Sequence, residues 1–171
     1  MSLRSDADKI IEESLHAVLP DQAVKRALKD HAVGEGKTIL IAVGKAAWQM
    51  ANAGRSVLGD TCTGIVITKY EHVRGEIPGM ECYEAGHPVP DENGVAATWK
   101  AMELVAGLTK KDRVMFLLSG GGSALFEKPL VSLEELQVIF FRDFLRFLTG
   151  GGIRIGRSRC DHIDRIPQDI R

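Results

Sequence analysis

The hydrophobic pattern of this chain consists of short apolar runs, each of which stops at glycine or at a group of polar residues. Three of these runs have the length and the aliphatic content of buried strands, and they lie at 37–43, 63–68 and 113–118. We expect the 113–118 strand to be central and parallel to the other two. Parallel strands place their carboxyl ends at one edge of a sheet, so the loops that follow them should open together.

The stretches between the strands have a different pattern, with apolar residues at helical spacing. This pattern predicts helices at 7–18, around 23–28, after Gly44 and at 95–108. We expect the first two to pack on the sheet. The core positions of the helix at 95–108 are predicted to be Trp99, Met102, Leu104 and Val105. Because strands and helices alternate, the sequence predicts an α/β fold, a Rossmann-like arrangement with a mostly parallel sheet and helices on both faces.

The loop after the 113–118 strand contains three adjacent glycines between two serines. They are Ser119, Gly120, Gly121, Gly122 and Ser123. In an open α/β sheet, ligands bind just beyond the carboxyl ends of the strands. Glycines at that place let the backbone approach a ligand, and their N–H groups can form a concavity that binds an anion. The pattern therefore favours a phosphate or carboxylate site over the alternative, a tight turn.

A second glycine turn follows the 37–43 strand. Gly44 ends the apolar run, and Lys45 begins a stretch of helix-forming composition. We expect Lys45 in the first turn of that helix, where unpaired N–H groups and the positive end of the helix dipole favour an anion. The alternative is a solvated surface lysine. A lysine against the dipole is unfavourable without an anionic ligand, so the pattern indicates an anion site.

Two weaker candidates for the rim of the pocket come from other strand ends. Lys69 follows the 63–68 strand, and His87 lies in a loop at 84–91 that two prolines hold extended. A histidine in such a loop can contact a ligand or act as a general base, although a surface hydrogen-bonding role is the more common one.

Two other kinds of site find no support in these residues. No Gly-x-Gly-x-x-Gly follows a strand, so a dinucleotide site of the hydride-transfer enzymes is not predicted. The cysteines Cys62, Cys82 and Cys160 have neither metal-ligand spacing nor a paired pattern, and no metal ligands are predicted.

Four of these segments together resemble a known family. They are residues 42–48, 67–70, 84–91 and 117–123, and in this order and spacing they are similar to the amino-terminal domain of two-domain glycerate 2-kinases. The resemblance implies ATP-dependent phosphorylation of glycerate to 2-phosphoglycerate, with magnesium. It also implies that Lys45 corresponds to the functionally important lysine of the family, and that the loop 119–123 helps to form an active site between the domains. Relatives are often labelled hydroxypyruvate reductase.

The resemblance covers residues 5–137 and then fails. Residues 1–137 look like an incomplete amino-terminal α/β domain, so the fold is expected to be truncated and to lack the carboxyl-terminal MOFRL domain of the family. Of the first 137 residues 38 are Glu, Ala or Lys, whereas residues 138–171 contain none of the three. A shifted reading frame near residue 138 explains this loss, and a native but unusual terminus is the alternative. The chain is therefore expected to be inactive alone.

Global properties limit the partners. The chain has 171 residues, a formal net charge of −1 and 44% hydrophobic residues, which suits a globular protein that binds a small molecule. Nucleic acid and membrane are not expected as partners, the location is expected to be cytoplasmic, and a homo-oligomer is compatible with the sequence. Two other classes stay open: a non-catalytic anion- or nucleotide-binding module, and a nucleic-acid binder that uses the tail arginines Arg154, Arg157 and Arg159.

Overall fold

The computed structural model describes residues 2–30, 35–121 and 124–148. Gly122, Ser123 and the tail arginines lie outside the described residues. The elements follow in chain order: α1 Leu3–Val18, α2 Pro20–Leu28, β1 Thr38–Gly44, α3 Ala47–Leu58, β2 Cys62–Lys69, β3 Met80–Ala85, α4 Glu92–Val105, β4 Arg113–Ser119 and α5 Leu133–Leu148. The predicted alternation of strands and helices is confirmed, with most boundaries within a residue or two of those expected.

The four described strands form one parallel sheet in the order β3-β2-β1-β4. Val43 of β1 pairs with Ile67 of β2 on one side, and Gly44 pairs with Ser119 of β4 on the other. The carboxyl ends of these three strands therefore share one edge, as expected from the sequence. The residues that follow them, which include both glycine turns, meet at this edge.

Strand β1 is buried over its whole length because helices cover both faces of the sheet. Its odd-numbered residues Ile39, Ile41 and Val43 belong to a core cluster with α4, while Leu40 and Ala42 belong to a second cluster with α2 and α3. Helices on both faces are thus confirmed. The continuous apolar run of β1 follows from this double burial, since neither face contacts water.

Strand β4 was expected to be central, and this prediction is wrong for the part of the chain that the structure describes. There β4 pairs with β1 alone and forms an edge of the sheet. Its side chains Val114, Phe116 and Leu118 are 44% to 48% exposed. The prediction failed because β4 is apolar on both faces, as a central strand is. In the structure only the face that carries Met115 and Leu117 packs against a buried cluster.

Helix α1 was expected to pack on the sheet, and it does not. None of its residues is buried, and Ile10, Ile11 and Leu15 are 58% to 64% exposed. Helix α2 does pack on the core, through Val24 and Leu28. The periodicity of an amphipathic helix shows that the helix has an apolar stripe, but it does not show which element covers that stripe. The prediction that α1 packs on the sheet rested on the periodicity alone. No helix in the described part of the chain is both long and apolar enough to cross a membrane.

Helix α4 faces the sheet with small residues, contrary to the expected core positions. Ala97, Thr98 and Ala101 are buried, whereas Trp99 is 46% and Met102 39% exposed. Leu104 and Val105 are partly buried against the same cluster, as expected. Small side chains let α4 lie close to the sheet, and the large residues then fall outside the contact. The Trp99 ring is covered instead by the Lys128 ammonium, 4.3 Å from its centroid.

Candidate functional site

The turn between β1 and α3 lies against the end of β4. Gly44 has a φ of 115°, and a Cβ at this position would lie 2.1 Å from the carbonyl oxygen of Ser119. Only glycine fits there, because the conformation is left-handed and the neighbouring backbone is in contact. The two strand ends that carry the predicted anion-binding residues are therefore held side by side.

Lys45 was expected in the first turn of a helix, and the structure places it just before the helix. The N-cap of α3 is Ala46, and the helix begins at Ala47. The turn at Gly44 delays the helix start, and the backbone N–H of Ala46 donates to the Ser119 hydroxyl oxygen at 3.1 Å. Lys45 is exposed at the mouth of the turn. Lys45 therefore lies one residue before the N-cap of α3.

A cleft of about 190 Å³ opens at this edge of the sheet. Its lining consists of Gly44, Lys45, His87, Ser119, Gly120, Gly121 and Leu125. Six of the nine residues proposed from the sequence are thus together, while Lys69 ends β2 without lining the cleft and the remaining two lie outside the described residues. The space above Gly120 is open, since a Cβ there would meet no atom within 4 Å.

The charge around the cleft favours an anion. Burial lowers the pKa of His87, and the positive charges of Lys45 and Lys69 lower it further. His87 is therefore a neutral imidazole at neutral pH, able to accept a hydrogen bond or a proton. A larger cavity of about 450 Å³ between α4 and α5 is lined by Asp91, Glu92 and Glu134, and its carboxylates would repel an anion.

The loop after β2 braces the cleft, and sequence reasoning did not find this role. The Nδ1 of His72 lies 2.9 Å from the carbonyl oxygen of Lys45, and the Glu84 carboxylate accepts the backbone N–H groups of His72 and Val73 at 2.9 and 2.8 Å. The sequence carries no signal for it, because Glu84 bonds to backbone N–H groups, which any residue at positions 72 and 73 would supply. His72 does not line the cleft and acts on it through the backbone.

A second hydrogen-bonded group ties β2 to the start of α4. The Tyr70 hydroxyl donates to Asp91 Oδ2 at 2.6 Å and accepts from the Asn93 amide at 2.7 Å. Asp91 is also the N-cap of α4, where its Oδ1 accepts the N–H of Gly94 at 2.9 Å. These contacts fix the far end of the loop that carries His87. Asp91 before Glu92 is an N-cap pattern that the sequence does contain.

Removal of the Asp91 carboxylate is expected to destabilise the protein in a pH-dependent way. Burial acts to raise the pKa of Asp91, but hydrogen bonds from Tyr70 and from backbone N–H groups outweigh it, and the pKa is lowered overall. Asp91→Ala should lower the free energy of unfolding by about 1–2 kcal/mol at pH 7. Because the folded pKa lies below the unfolded one, this stabilisation is present above about pH 4 and is lost as the pH falls through the folded pKa.

Urea unfolding at pH 7 and at a series of pH values below 4 measures this effect. Asp91→Asn is the matched control: asparagine also caps helices but has no titrating group, so this variant should keep most of the stability at pH 7 and, like Asp91→Ala, lose the pH dependence that the Asp91 carboxyl contributes. A difference between wild type and Asp91→Ala that stays constant into the acid range would contradict the assignment.

The described residues contain no cluster of three or more metal-ligating side chains. Across 2–30, 35–121 and 124–148, no three His, Cys, Asp or Glu side chains come together in a way that could hold one. A magnesium site made of three or more such side chains is therefore not present among the described residues.

Comparison with known proteins gives concordant matches. A family model described as a domain of unknown function, DUF4147, matches residues 6–155. D-glycerate 2-kinase of Thermotoga maritima is 53% identical over 139 residues, covering 80% of this chain and 33% of that protein. A protein of Agrobacterium vitis, provisionally named a hydroxypyruvate reductase, is 35% identical over 75% of this chain and 29% of its own length.

A solved structure matches as well. The crystal structure of a glycerate kinase from Thermotoga maritima superposes with a TM-score of 0.77 at 49% identity, covering 88% of this chain and 36% of that one. The α/β fold is the same over nearly all of the described chain. This chain spans about a third of the length of the relatives it matches.

Proposed function

This chain belongs to the DUF4147 domain family, and on that premise we propose that it supplies the anion-binding part of an enzyme that phosphorylates glycerate with ATP to 2-phosphoglycerate. The observation that carries the proposal is the cleft that collects Lys45, His87 and the Ser119–Gly121 backbone at one edge of the sheet. Phosphoryl transfer depends on positioning and on neutralising charge, with little covalent chemistry from the protein. A small polar cleft with a lysine at its mouth suits that task.

In this reaction the 2-hydroxyl oxygen of glycerate bonds to the γ-phosphorus of ATP, the bond to ADP breaks, and the hydroxyl proton is lost. Lys45 binds either the transferring phosphate or the glycerate carboxylate. The backbone N–H groups of Gly120, Gly121 and Gly122 hold the other anion, with hydrogen bonds from Ser119 and Ser123. His87 lines the cleft, where its neutral imidazole can accept a hydrogen bond from a substrate hydroxyl, and Lys69 contributes positive charge near His87 without lining the cleft.

ATP is proposed here as the phosphoryl donor, and magnesium as its usual companion. No step is assigned to magnesium, which usually binds through substrate phosphates and one or two carboxylates. We also propose a cytoplasmic location, where ATP is available to the reaction.

Hydroxypyruvate reduction is the second candidate, and it is favoured only by the name of the Agrobacterium vitis relative. The loop after β1 argues against it. A dinucleotide site needs several glycines between the strand and the helix, whereas here Gly44 is followed at once by Lys45, Ala46 and Ala47. Oxidation of NADH or NADPH in the presence of hydroxypyruvate would support this candidate. Phosphate binding by this chain, together with a folded chimera that turns over neither glycerate nor hydroxypyruvate, would support a non-catalytic module.

A chimera tests the proposed function. The matched segment of this chain replaces the corresponding segment of the Thermotoga maritima D-glycerate 2-kinase, which is feasible at 53% identity. We expect ATP-dependent formation of 2-phosphoglycerate in a coupled assay. A chimera that folds but shows no glycerate-dependent use of ATP would contradict the proposal.

The 171-residue chain by itself is expected to show no turnover. It spans about a third of its relatives, and an active site formed between domains needs groups from both. The measurement is the same coupled assay with this polypeptide alone. Formation of 2-phosphoglycerate at more than about 1 per second, the low end for enzymes, would contradict this prediction.

We further propose that the reading frame shifts near residue 138. The change in composition at 138–171 is the support, although the family match extends to residue 155 and α5 continues through residue 138 to Leu148. Sequencing the gene across codon 138 and translating the other two frames tests it. We expect one alternative frame to restore Glu, Ala and Lys and to encode an Asn-Thr-x-Arg-Lys segment. If neither frame does so, the tail is native sequence.

A further inference from the structure

The backbone around Lys45 is held by contacts from three elements. On its amino-terminal side, Gly44 lies against the Ser119 carbonyl at the end of β4. On its carboxyl-terminal side, the Ala46 N–H donates to Ser119 Oγ. The Lys45 carbonyl oxygen itself lies 2.9 Å from the His72 ring and 3.5 Å from the Thr68 hydroxyl. The orientation of the Lys45 peptide therefore depends on where His72 sits.

His72 is in turn held by a carboxylate. Glu84, near the end of β3, accepts the N–H groups of His72 at 2.9 Å and Val73 at 2.8 Å, and its Oε1 accepts both. Glu71, the residue before them, has a φ of 66°, a left-handed conformation that a glutamate rarely adopts. Such a conformation persists where surrounding contacts enforce it, and the Glu84 carboxylate is the group at the centre of this turn.

The charge of Glu84 is retained in this setting. The backbone N–H of Val73 lowers the pKa of Glu84 most, burial opposes it, and the N–H groups of Glu71 and His72 lower it further. Hydrogen bonds to an ionised acceptor are stronger than those to a neutral one. The turn is thus held by a carboxylate that lies three residues before His87 in the chain.

We infer that Glu84 is a positioning residue, which sets the orientation of Lys45 through the 71–73 turn and the His72 ring. Glu84 does not line the cleft, so it does not touch a bound anion. Its effect reaches the anion only through Lys45. The inference rests on the proposed function in one respect, the binding of an anion by Lys45, and its geometric part is independent of that function.

The His72 ring gives a direct test of the geometric part. The Lys45 carbonyl can only accept, so His72 must carry a hydrogen on Nδ1. In the ¹⁵N-labelled full chain, we expect the ring signals of His72 to show a protonated, hydrogen-bonded Nδ1. Glu84→Ala should abolish this signature, and Glu84→Gln, which keeps one acceptor oxygen, should preserve part of it. Glu103→Ala, at an exposed glutamate of α4, is the control and should change nothing. An unchanged His72 signature in Glu84→Ala would overturn the inference.

A double-mutant cycle tests the coupling to Lys45. Binding of inorganic phosphate is measured for wild type, Lys45→Ala, Glu84→Ala and the double variant. We expect Glu84→Ala to weaken binding several-fold in wild type and to have no effect once Lys45 is absent, because residues that act through one another are not additive. Melting curves identify loss of the fold, and Glu84→Gln then replaces Glu84→Ala in the cycle.

The outcomes separate the two claims. If Glu84→Ala and Lys45→Ala weaken binding additively, Glu84 does not act through Lys45 and the inference is wrong, while the proposed function stands. If Lys45→Ala binds phosphate as wild type does, or if wild type binds none, the anion site proposed for Lys45 is wrong. The His72 signature then still decides whether Glu84 holds the turn.

Discussion

Lys45→Ala in the chimera is expected to lower turnover by about a thousandfold or more, the effect of removing one well-placed charge donor from a transition state. The ammonium stands at the mouth of the cleft, next to the turn that begins α3. Without it, the charge that develops on the transferring phosphoryl group or the charge of the substrate carboxylate has no cation in this position. The measurement is the steady-state rate of the coupled assay, with glycerate and ATP both saturating.

Stability should hardly change in this variant, because Lys45 is exposed and a single surface side chain contributes little to folding. Lys110→Ala is the matched control. Lys110 is also exposed, but it lies in the turn before β4, at the amino-terminal ends of the strands, whereas the cleft lies at their carboxyl ends. Its loss should leave turnover unchanged. A Lys45→Ala chimera with wild-type turnover and an unchanged melting curve would show that Lys45 is only a surface charge.

Gly44→Ala is expected to destabilise the chain by about 3 kcal/mol or more, which corresponds to a drop in melting temperature of roughly 10 °C. Two effects act together. The φ of 115° is unfavourable for any residue with a side chain, and the added Cβ would lie 2.1 Å from a backbone oxygen that cannot rotate away. Relief requires β1 and β4 to separate at the edge where the cleft lies. Urea unfolding at neutral pH measures the loss.

Gly59→Ala is the control for the conformational part alone. Gly59 has a φ of 80°, but a Cβ there would meet no atom within 4 Å. Its ψ is −175°, a conformation that residues with a side chain rarely adopt, so we expect this variant to lose about 1–3 kcal/mol, and less than Gly44→Ala because no backbone contact is added. Equal losses in the two variants would mean that the contact between Gly44 and Ser119 is not as close as the structure has it.

The parts of the site that the sequence predicts are those that follow from parallel strands. Lys45 and the glycines after β4 are 75 residues apart in the chain, yet their strands pair directly, and parallel pairing leaves no other arrangement of their ends. An apolar run followed by glycine indicates the end of a buried strand, because a continuous apolar run is typical of a buried strand and glycine ends the run. The cleft could therefore be located before any coordinates.

Other predictions failed because they depend on what covers a surface. Strand β4 is apolar on both faces, as a central strand is, and α1 has an apolar stripe, as a packed helix has. In the described structure, however, Val114 and Phe116 of β4 and Ile10 of α1 are exposed. Trp99 was placed in the core as one of the apolar residues of the predicted helix, whereas the residues of α4 that are buried against the sheet include Ala97 and Ala101. A periodic pattern identifies an apolar face, and neighbouring elements decide whether it is buried.

The bracing of Lys45 by Glu84 could not be predicted for a different reason. It depends on a left-handed turn at Glu71, a residue type that gives no sign of that conformation. It also joins a side chain to the backbone N–H groups of residues 72 and 73, which any sequence provides. Contacts of this kind leave almost no mark in the composition of a segment.

The most direct test of the account is an NMR titration of the ¹⁵N-labelled chain with inorganic phosphate. The account predicts that the amide shifts of Lys45, Ala46, Gly120 and Gly121 change together with one dissociation constant, and that those of Gly59 and Gly107, away from the cleft, stay fixed. Shifts confined to other surfaces, or none at phosphate concentrations that saturate ordinary anion sites, would contradict the claim that this edge of the sheet binds the substrate or the phosphoryl group.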